Sequence, residues 1–309
     1  MQSKLLRAFQ QSFWKFFLES SSLHPFVFLR ISFAVLAIAL WISLYPSIDI
    51  LLGKEGYIEW FVSDMFFSNR SIPTLYKSLR WINQYGHVSS IQFIYILYLG
   101  YGCCLLMIGI GLFSNVFAFI AWVIHLVIFN TAVIYAYGLE SFIHMLLFYF
   151  IFMPVDAECS LSALLFKRYW LRRKARSQVK ARIFLRVLQI HLCIIYLDAG
   201  LSKMFGTHWW NGEAVWRSIT QFPFNPFKLT FIHKFPLLLK VTGWLVLAFE
   251  TLYSILIWHH QSRKIFLPCI IVMHACISFF IGLYFFGLIM IIMNLAAFAF
   301  DTRLKIAVA

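Results

Sequence analysis

Long runs of apolar residues, separated by short stretches that gather the charges, set the pattern of this chain. A helix crosses a hydrocarbon layer of about 30 Å with roughly 20 residues. Eight runs meet that length with some latitude: 25–45, 90–112, 115–137, 139–155, 183–201, 236–258, 265–281 and 283–300. The last two form one stretch too long for a single crossing, and it breaks at Gly282, where a tight turn costs the backbone least. The expected fold class is all-α, a polytopic integral membrane helix bundle of eight transmembrane helices. Backbone between the runs must be satisfied by water or by protein, so the outer loops are expected to hold interfacial or re-entrant segments.

Composition removes the alternatives. Of 309 residues, 62% are apolar, 19% aromatic and only 12% charged, with a mean hydropathy of +0.81. That is too much large apolar surface for a water-soluble domain of this length to hide, and it excludes disorder, collagen and coiled coil. The net charge of +14 would point to nucleic acid in a soluble protein. Here the basic residues sit between apolar runs, so they set membrane topology and no nucleic-acid partner is expected. If the first helix runs from inside to outside, fifteen Lys and Arg in the connecting stretches and ends fall inside, eight of them in 156–182, against eight outside. Both termini are then cytoplasmic, and a bacterial inner membrane is the expected location. The first run lacks a small-residue cleavage site after it and is expected to stay as an anchor. With no internal repeat or linker, residues 1–309 read as a single transmembrane domain without a separate soluble part. The six cysteines form no CxxC pair, which argues against a thiol oxidase, and no metal site is expected.

Polar groups at bilayer depth are costly and face a bundle interior, a partner or a water cavity. This chain carries Arg30, His125, Asn130, Glu140, His144, His191, Asp198, Glu250, His274 and Asn294 within its runs. The bland account makes them structural glue, with Arg30 paired to Glu250 or Asp198 and the histidines bonded to carbonyls. As a set, ionisable groups on separate helices favour a shared polar cavity built from Arg30, Glu140, His144, His191, Asp198 and Glu250. His191 and Asp198, seven residues apart, share a helix face, and Glu140 with His144 repeats this at i, i+4. Such acid–histidine pairs could relay protons or form satisfied ion pairs. The loop 199–219 is the most unusual segment, with Trp209, Trp210 and Trp216 suited to the headgroup level and Gly206 and Gly212 permitting bends. Lys203 at its edge is either a snorkelling ammonium or a desolvated amine able to act as a base.

At this loop the sequence resembles a known family. The run YLDAGLSKMFGTHWWNGEAV, residues 196–215, is similar to the hallmark segment of the vitamin K-dependent γ-carboxylase family, also called the HTTM domain family. The family pattern of tyrosine, Ala-Gly, lysine, tryptophan and Gly falls on Tyr196, Gly200, Lys203, Trp209, Trp210 and Gly212. The likeness continues through FNPFKL at 224–229, Glu250, Ser262-Arg263, the helix with His274, and Arg30 in the first run. It implies that Lys203 is the base that deprotonates a quinol such as vitamin K hydroquinone. Oxygenation then yields a base strong enough to remove a glutamate γ-proton, and carbon dioxide adds to the carbanion. His274 would be a supporting or oxyanion partner. A neutral amine needs a dry pocket, and a greasy quinone reaches one from the bilayer.

Two departures qualify what is implied. The carboxylases carry an Asn-His pair at the start of the fourth span, where this chain has Gly138 and Leu139, with Glu140 and His144 nearby. They also continue into a large lumenal region, whereas these 309 residues stop nine after the last run. Short stand-alone bacterial members fit better in size, including a group linked to maturation of a secreted antimicrobial peptide, which implies an exported peptide as partner. Two other functions stay open: a carrier using Glu250, Asp198 and His274, and a non-catalytic assembly, immunity or peptide-maturation protein.

Overall fold

A computed structural model describes residues 10, 13–66, 72–132, 136–221, 227 and 229–300. The basic residues Lys4, Arg7, Arg303 and Lys305 and most of the FNPFKL segment lie outside the described residues, as do the side chains of 168–176. Among the described residues, after a helical stretch at 13–18, the α-helices run α1 (His24–Leu44), α2 (Ile48–Leu52), α3 (Trp60–Phe66), α4 (Leu75–Ile82), α5 (Ser90–Ile110), α6 (Ser114–Thr131), α7 (Leu139–Phe152), α8 (Leu161–Leu165), α9 (Lys167–Met204), α10 (Thr207–Trp210), α11 (Glu213–Thr220), α12 (Pro236–Leu256), α13 (His260–Cys276) and α14 (Tyr284–Asn294). No strand occurs among the described residues. Each of the eight apolar runs folds as helix. Six are long and apolar enough to cross a membrane, and Leu139–Phe152 and Tyr284–Ala299 are shorter apolar helices. Side chains such as Val35, Ile96, Phe119, Ile255 and Val272 remain exposed, an apolar exterior that water would penalise and lipid accepts. The protein is an integral membrane helix bundle.

Local chemistry explains the boundaries. Ser89 and Gln92 form a reciprocal capping box at the start of α5, and Gly111 ends it with φ +74. The break at Gly282 has φ +83, the left-handed turn that separates the seventh run from the eighth. One expectation was too short. The fifth span extends back through the basic stretch as a 38-residue helix, because 167–199 contains many helix formers and no Gly or Pro.

The chain divides into two compact units, residues 26–177 and residues 1–25 with 178–309. In the first, Leu29, Phe33, Leu105, Ile108, Ala118, Leu146 and Phe150 are fully buried, and Phe33 meets Phe150 edge to face at 5.1 Å. Asn115 donates to the carbonyls of Phe150, Ile151 and Met153, closing the end of α7 that has no helical partners. A small lobe after α1 packs Trp60 and Leu75 against Ile48, Leu52, Phe93 and Tyr98. It is tied down where the Leu75 amide donates to Thr131 and Asn130 donates to the Pro73 carbonyl.

In the second unit the N-terminal segment is latched to α9. Arg182 meets Glu19 at 3.6 Å, and Arg186 donates to the Phe16 carbonyl while its guanidinium lies 4.0 Å from the Phe16 ring. α13 and α14 each run into one π turn, residues 277–281 and 295–299. Gln189 donates to the Ala297 carbonyl at 2.6 Å, supplying one bond to the backbone that the second π turn rearranges.

Candidate functional site

α9 delivers Lys203 in its last turn, where a cation favours the helix C-terminus. Its Nζ lies 2.6 Å from Oε2 of Glu250 on α12, with side chains 25% and 9% exposed. The approach of the two helices depends on Gly200, since a Cβ there would run into the Thr251 backbone. The Trp209 ring centroid is 5.4 Å from the same ammonium. Lys203 is therefore neither a free snorkelling cation nor an isolated amine: it is fixed between a carboxylate and an indole.

Beyond α9 the loop is seated by its tryptophans and two glycines. Trp210 donates to the Met204 carbonyl at the end of α9, and Trp244 of α12 donates to the Trp210 carbonyl. Gly212 has φ +85 and faces the backbone of Leu239 and Lys240, so it tolerates no side chain. Gly206 has φ −91, a conformation open to any residue, so its bend does not require glycine. An open cavity of about 520 Å³ lies here, lined by Asp198, Ala199, Ser202, Lys203, Gly206, His208, Trp209, Ala214 and Arg217. On its rim Glu213 accepts from Arg217 at 2.5 Å and lies 2.6 Å from His208 Nδ1. Those hydrogen bonds, from His208 first and then Arg217, hold the Glu213 carboxyl below the usual carboxylate range.

Deeper in the same unit, four residues form a buried polar chain. Tyr196 Oη and His274 Nε2 are 2.7 Å apart, Asn294 donates through Nδ2 to Tyr196 Oη at 2.8 Å and to the Met290 carbonyl, and Tyr253 donates to Asn294 Oδ1 at 2.7 Å. His274 Nδ1 is buried without a hydrogen-bond partner. A sealed donor or acceptor of this kind costs about 1–3 kcal/mol.

The residues singled out from the sequence are thus distributed over both units. Tyr196, Gly200, Lys203, Trp209, Trp210, Gly212, Glu250 and His274 gather around α9 and α12, with Asp198 exposed on the cavity wall. His191 lies two turns earlier on α9, half-buried. Arg30, Glu140 and His144 belong to the unit of residues 26–177. There the expected partner of Arg30 is corrected: it pairs with Asp156 at 3.5 Å and donates to the Cys159 carbonyl, rather than meeting Glu250 or Asp198. Gly111 makes the room, since a Cβ at that position would occupy the place of the guanidinium. Glu140 accepts from the Tyr137 amide at 3.2 Å, while His144 meets His125 across the helices, Nδ1 to Nδ1 at 3.3 Å, with Trp122 stacked on its ring. Tyr253 and Asn294 complete the chain around His274; the sequence marks Asn294 only as a polar group at bilayer depth, outside the expected site, and does not mark Tyr253. The signal for Tyr253 is its place three residues after Glu250 on one helix face, and for Asn294 an amide inside the eighth run. Comparisons with protein-family models, with curated proteins and with solved structures gave no match.

Proposed function

We propose that this membrane protein performs acid–base chemistry on a lipid-soluble, quinol-like substrate, in the manner of the vitamin K-dependent γ-carboxylase (HTTM) family that its loop resembles. The observation that carries the reading is the Lys203–Glu250 contact of 2.6 Å beside an open cavity with an indole wall. The pair holds one proton between amine and carboxylate and can accept a second, leaving an ammonium next to a neutral carboxyl. A quinol in the cavity supplies an acidic ring hydroxyl; Lys203 with Glu250 takes that proton, and Trp209 and Ala214 offer apolar surface to the ring. The wall sets Trp209, Ala199 and Ala214 beside the polar side chains of Lys203, Asp198, Ser202, His208 and Arg217, so it offers an aromatic ring one apolar face and its oxygens several polar partners. The charge distribution of the connecting stretches supports placing the cavity on the extracytoplasmic face, with both termini cytoplasmic in a bacterial inner membrane, where an exported peptide is a second substrate class.

The test uses purified full-length protein in nanodiscs with a naphthohydroquinone, followed by dioxygen uptake. The wild type accelerates uptake, because the deprotonated quinol reacts with dioxygen faster than the neutral form. Lys203→Ala lowers the rate at least about tenfold, in the range of a positioned general base. A folded Lys203→Ala protein with the wild-type rate sinks the reading.

A further inference from the structure

Charge matching in the cavity beside Lys203 leaves one carboxylate over. Four of its wall residues are ionisable: Asp198, Lys203, His208 and Arg217. Lys203 meets Glu250 at 2.6 Å. Arg217 and His208 both meet Glu213, at 2.5 and 2.6 Å. Asp198 is exposed and has no hydrogen bond or ion pair among the described residues. With histidine neutral, the two pairs cancel and the wall keeps a single negative charge, in a chain whose overall balance is +14.

The backbone adds a field of the same sign. α9 ends at Met204, so its last carbonyls carry partial negative charge among the residues from Asp198 to Gly206 that line the cavity. Asp198 stands one turn before Ser202 and about 7.5 Å along the helix axis before Lys203. An exposed carboxylate elsewhere on a helix needs no explanation, because water satisfies it. This one shares a cavity of about 520 Å³ with Trp209, Ala199 and Ala214, which offer apolar surface to whatever enters. A carboxylate also only accepts hydrogen bonds, so an ammonium that bears N–H groups suits it better than a quaternary one.

We propose that the cavity selects a ligand with a protonated primary amine, its ammonium at Asp198 and its apolar body against Trp209 and Ala214. The inference rests on the reading of this cavity as the substrate site and adds a charge requirement to it. The molecule that gives a proton to Lys203 and Glu250 is cationic at its other end. Asp198 attracts that end and opposes anions of the same shape.

The test uses purified full-length protein in phosphatidylcholine nanodiscs and three probes with one phenol ring: tyramine, its neutral analogue tyrosol, and the anion of 3-(4-hydroxyphenyl)propionic acid. Binding is followed by titration calorimetry at low salt. Tyramine binds about fivefold more tightly than tyrosol, the upper end for an exposed ion pair, and the anion binds most weakly. Non-specific attraction would reverse that order, since the protein as a whole is positive. High salt narrows the preference. Asp198→Asn brings tyramine to the level of tyrosol, and Asp198→Glu keeps the preference. Equal affinity for tyramine and tyrosol, no binding of any of the three, or an undiminished preference in Asp198→Asn overturns the inference. Replacing half the lipid by phosphatidylethanolamine names the source of the amine. A preference that survives assigns Asp198 to a soluble amine, and one that disappears assigns it to a lipid headgroup; both uphold the charge requirement. The two proposals fail separately, because these titrations involve no dioxygen uptake. An Asp198-dependent preference with no effect of Lys203→Ala on uptake removes the base chemistry alone, and the converse removes the charge requirement alone.

Discussion

Residues 26–177 and residues 178–300 both bury polar side chains among apolar helices, and they use them for different ends. In the first, Arg30 pairs with Asp156, Asn115 donates to three carbonyls, Asn130 donates to the Pro73 carbonyl and His125 meets His144, while Arg30 Nε and Ser63 Oγ stay buried without a hydrogen-bond partner. These contacts close helix ends and tie helix to helix. In the second, Lys203 and Glu250 meet beside an open cavity, and the chain from Tyr253 through Asn294 and Tyr196 ends on an unanswered His274 nitrogen. Buried atoms without a hydrogen-bond partner occur in both units, so what separates them is setting: the polar contacts of the first lie at helix ends and between helices, whereas the Lys203–Glu250 pair of the second borders an open cavity.

The sharpest way to break the comparison is to unpair Arg30. Asp156→Ala leaves a guanidinium that is 1% exposed without its counter-charge, and a buried pair broken on one side costs about 3–5 kcal/mol. The expected result is loss of monodisperse protein, or a large fall in the thermal midpoint, on detergent size-exclusion with fluorescence detection. If Asp156→Ala is as stable as the wild type, the first unit does not depend on that closure.

Next in size is the loop that seats Lys203. Gly212→Ala meets a positive φ and the Leu239–Lys240 backbone together and should cost roughly 1–3 kcal/mol, with altered Trp209 and Trp210 fluorescence. Gly206→Ala meets only ordinary contacts and should stay within about 0.5 kcal/mol. Equal effects of the two would mean that the bend at 212 is not what fixes the loop.

A double-mutant cycle on Lys203→Met and Glu250→Gln tests the pair itself. The side chains touch at 2.6 Å, so the coupling should be on the order of 1 kcal/mol in chemical denaturation, smaller than the effect of unpairing Arg30 because Lys203 is partly open. The quinol-driven rate should fall with either change while fold is kept, the opposite of the expected outcome for Asp156. Strictly additive single effects would mean that the contact carries no coupling.

The sequence made the helices legible because apolar runs report directly on membrane crossing, down to the turn at Gly282. It also located the segment around Lys203, where glycine and tryptophan crowd a charged residue. Partners across helices were another matter. Glu250 lies 47 residues from Lys203, and nothing in either run encodes their meeting. Arg30 was matched to acids inside the runs, whereas Asp156 stands just past the end of the fourth. The first and fourth runs cross in opposite directions, so the start of one and the end of the other share a membrane face. Arg30 lies in the second turn of α1, and that depth points to Asp156 once the ends of the runs are included. The basic stretch before the fifth run looked like a loop by its charge, yet charge does not oppose helix formation where Lys, Arg and Gln prevail.

The smallest expected effect concerns the rim of the cavity and carries a definite pH sign. Glu213 is bonded by His208 and Arg217, and its carboxyl titrates below the ordinary 4.5. A group whose folded pKa is depressed stabilises the fold fully above its unfolded value, and that contribution disappears as pH falls through the folded one. The contacts of Glu213 should therefore be intact at pH 6 and fade only below about 4.5, as both states become protonated. Trp216 lies on the same short helix, so its fluorescence reports the change when pH is lowered from 6 to 3. Glu213→Gln removes the carboxylate and should abolish the transition while leaving the neutral-pH spectrum close to the wild type, because the pair is solvent-screened. A transition that persists in Glu213→Gln would mean that the acid sensitivity does not come from the contacts of Glu213.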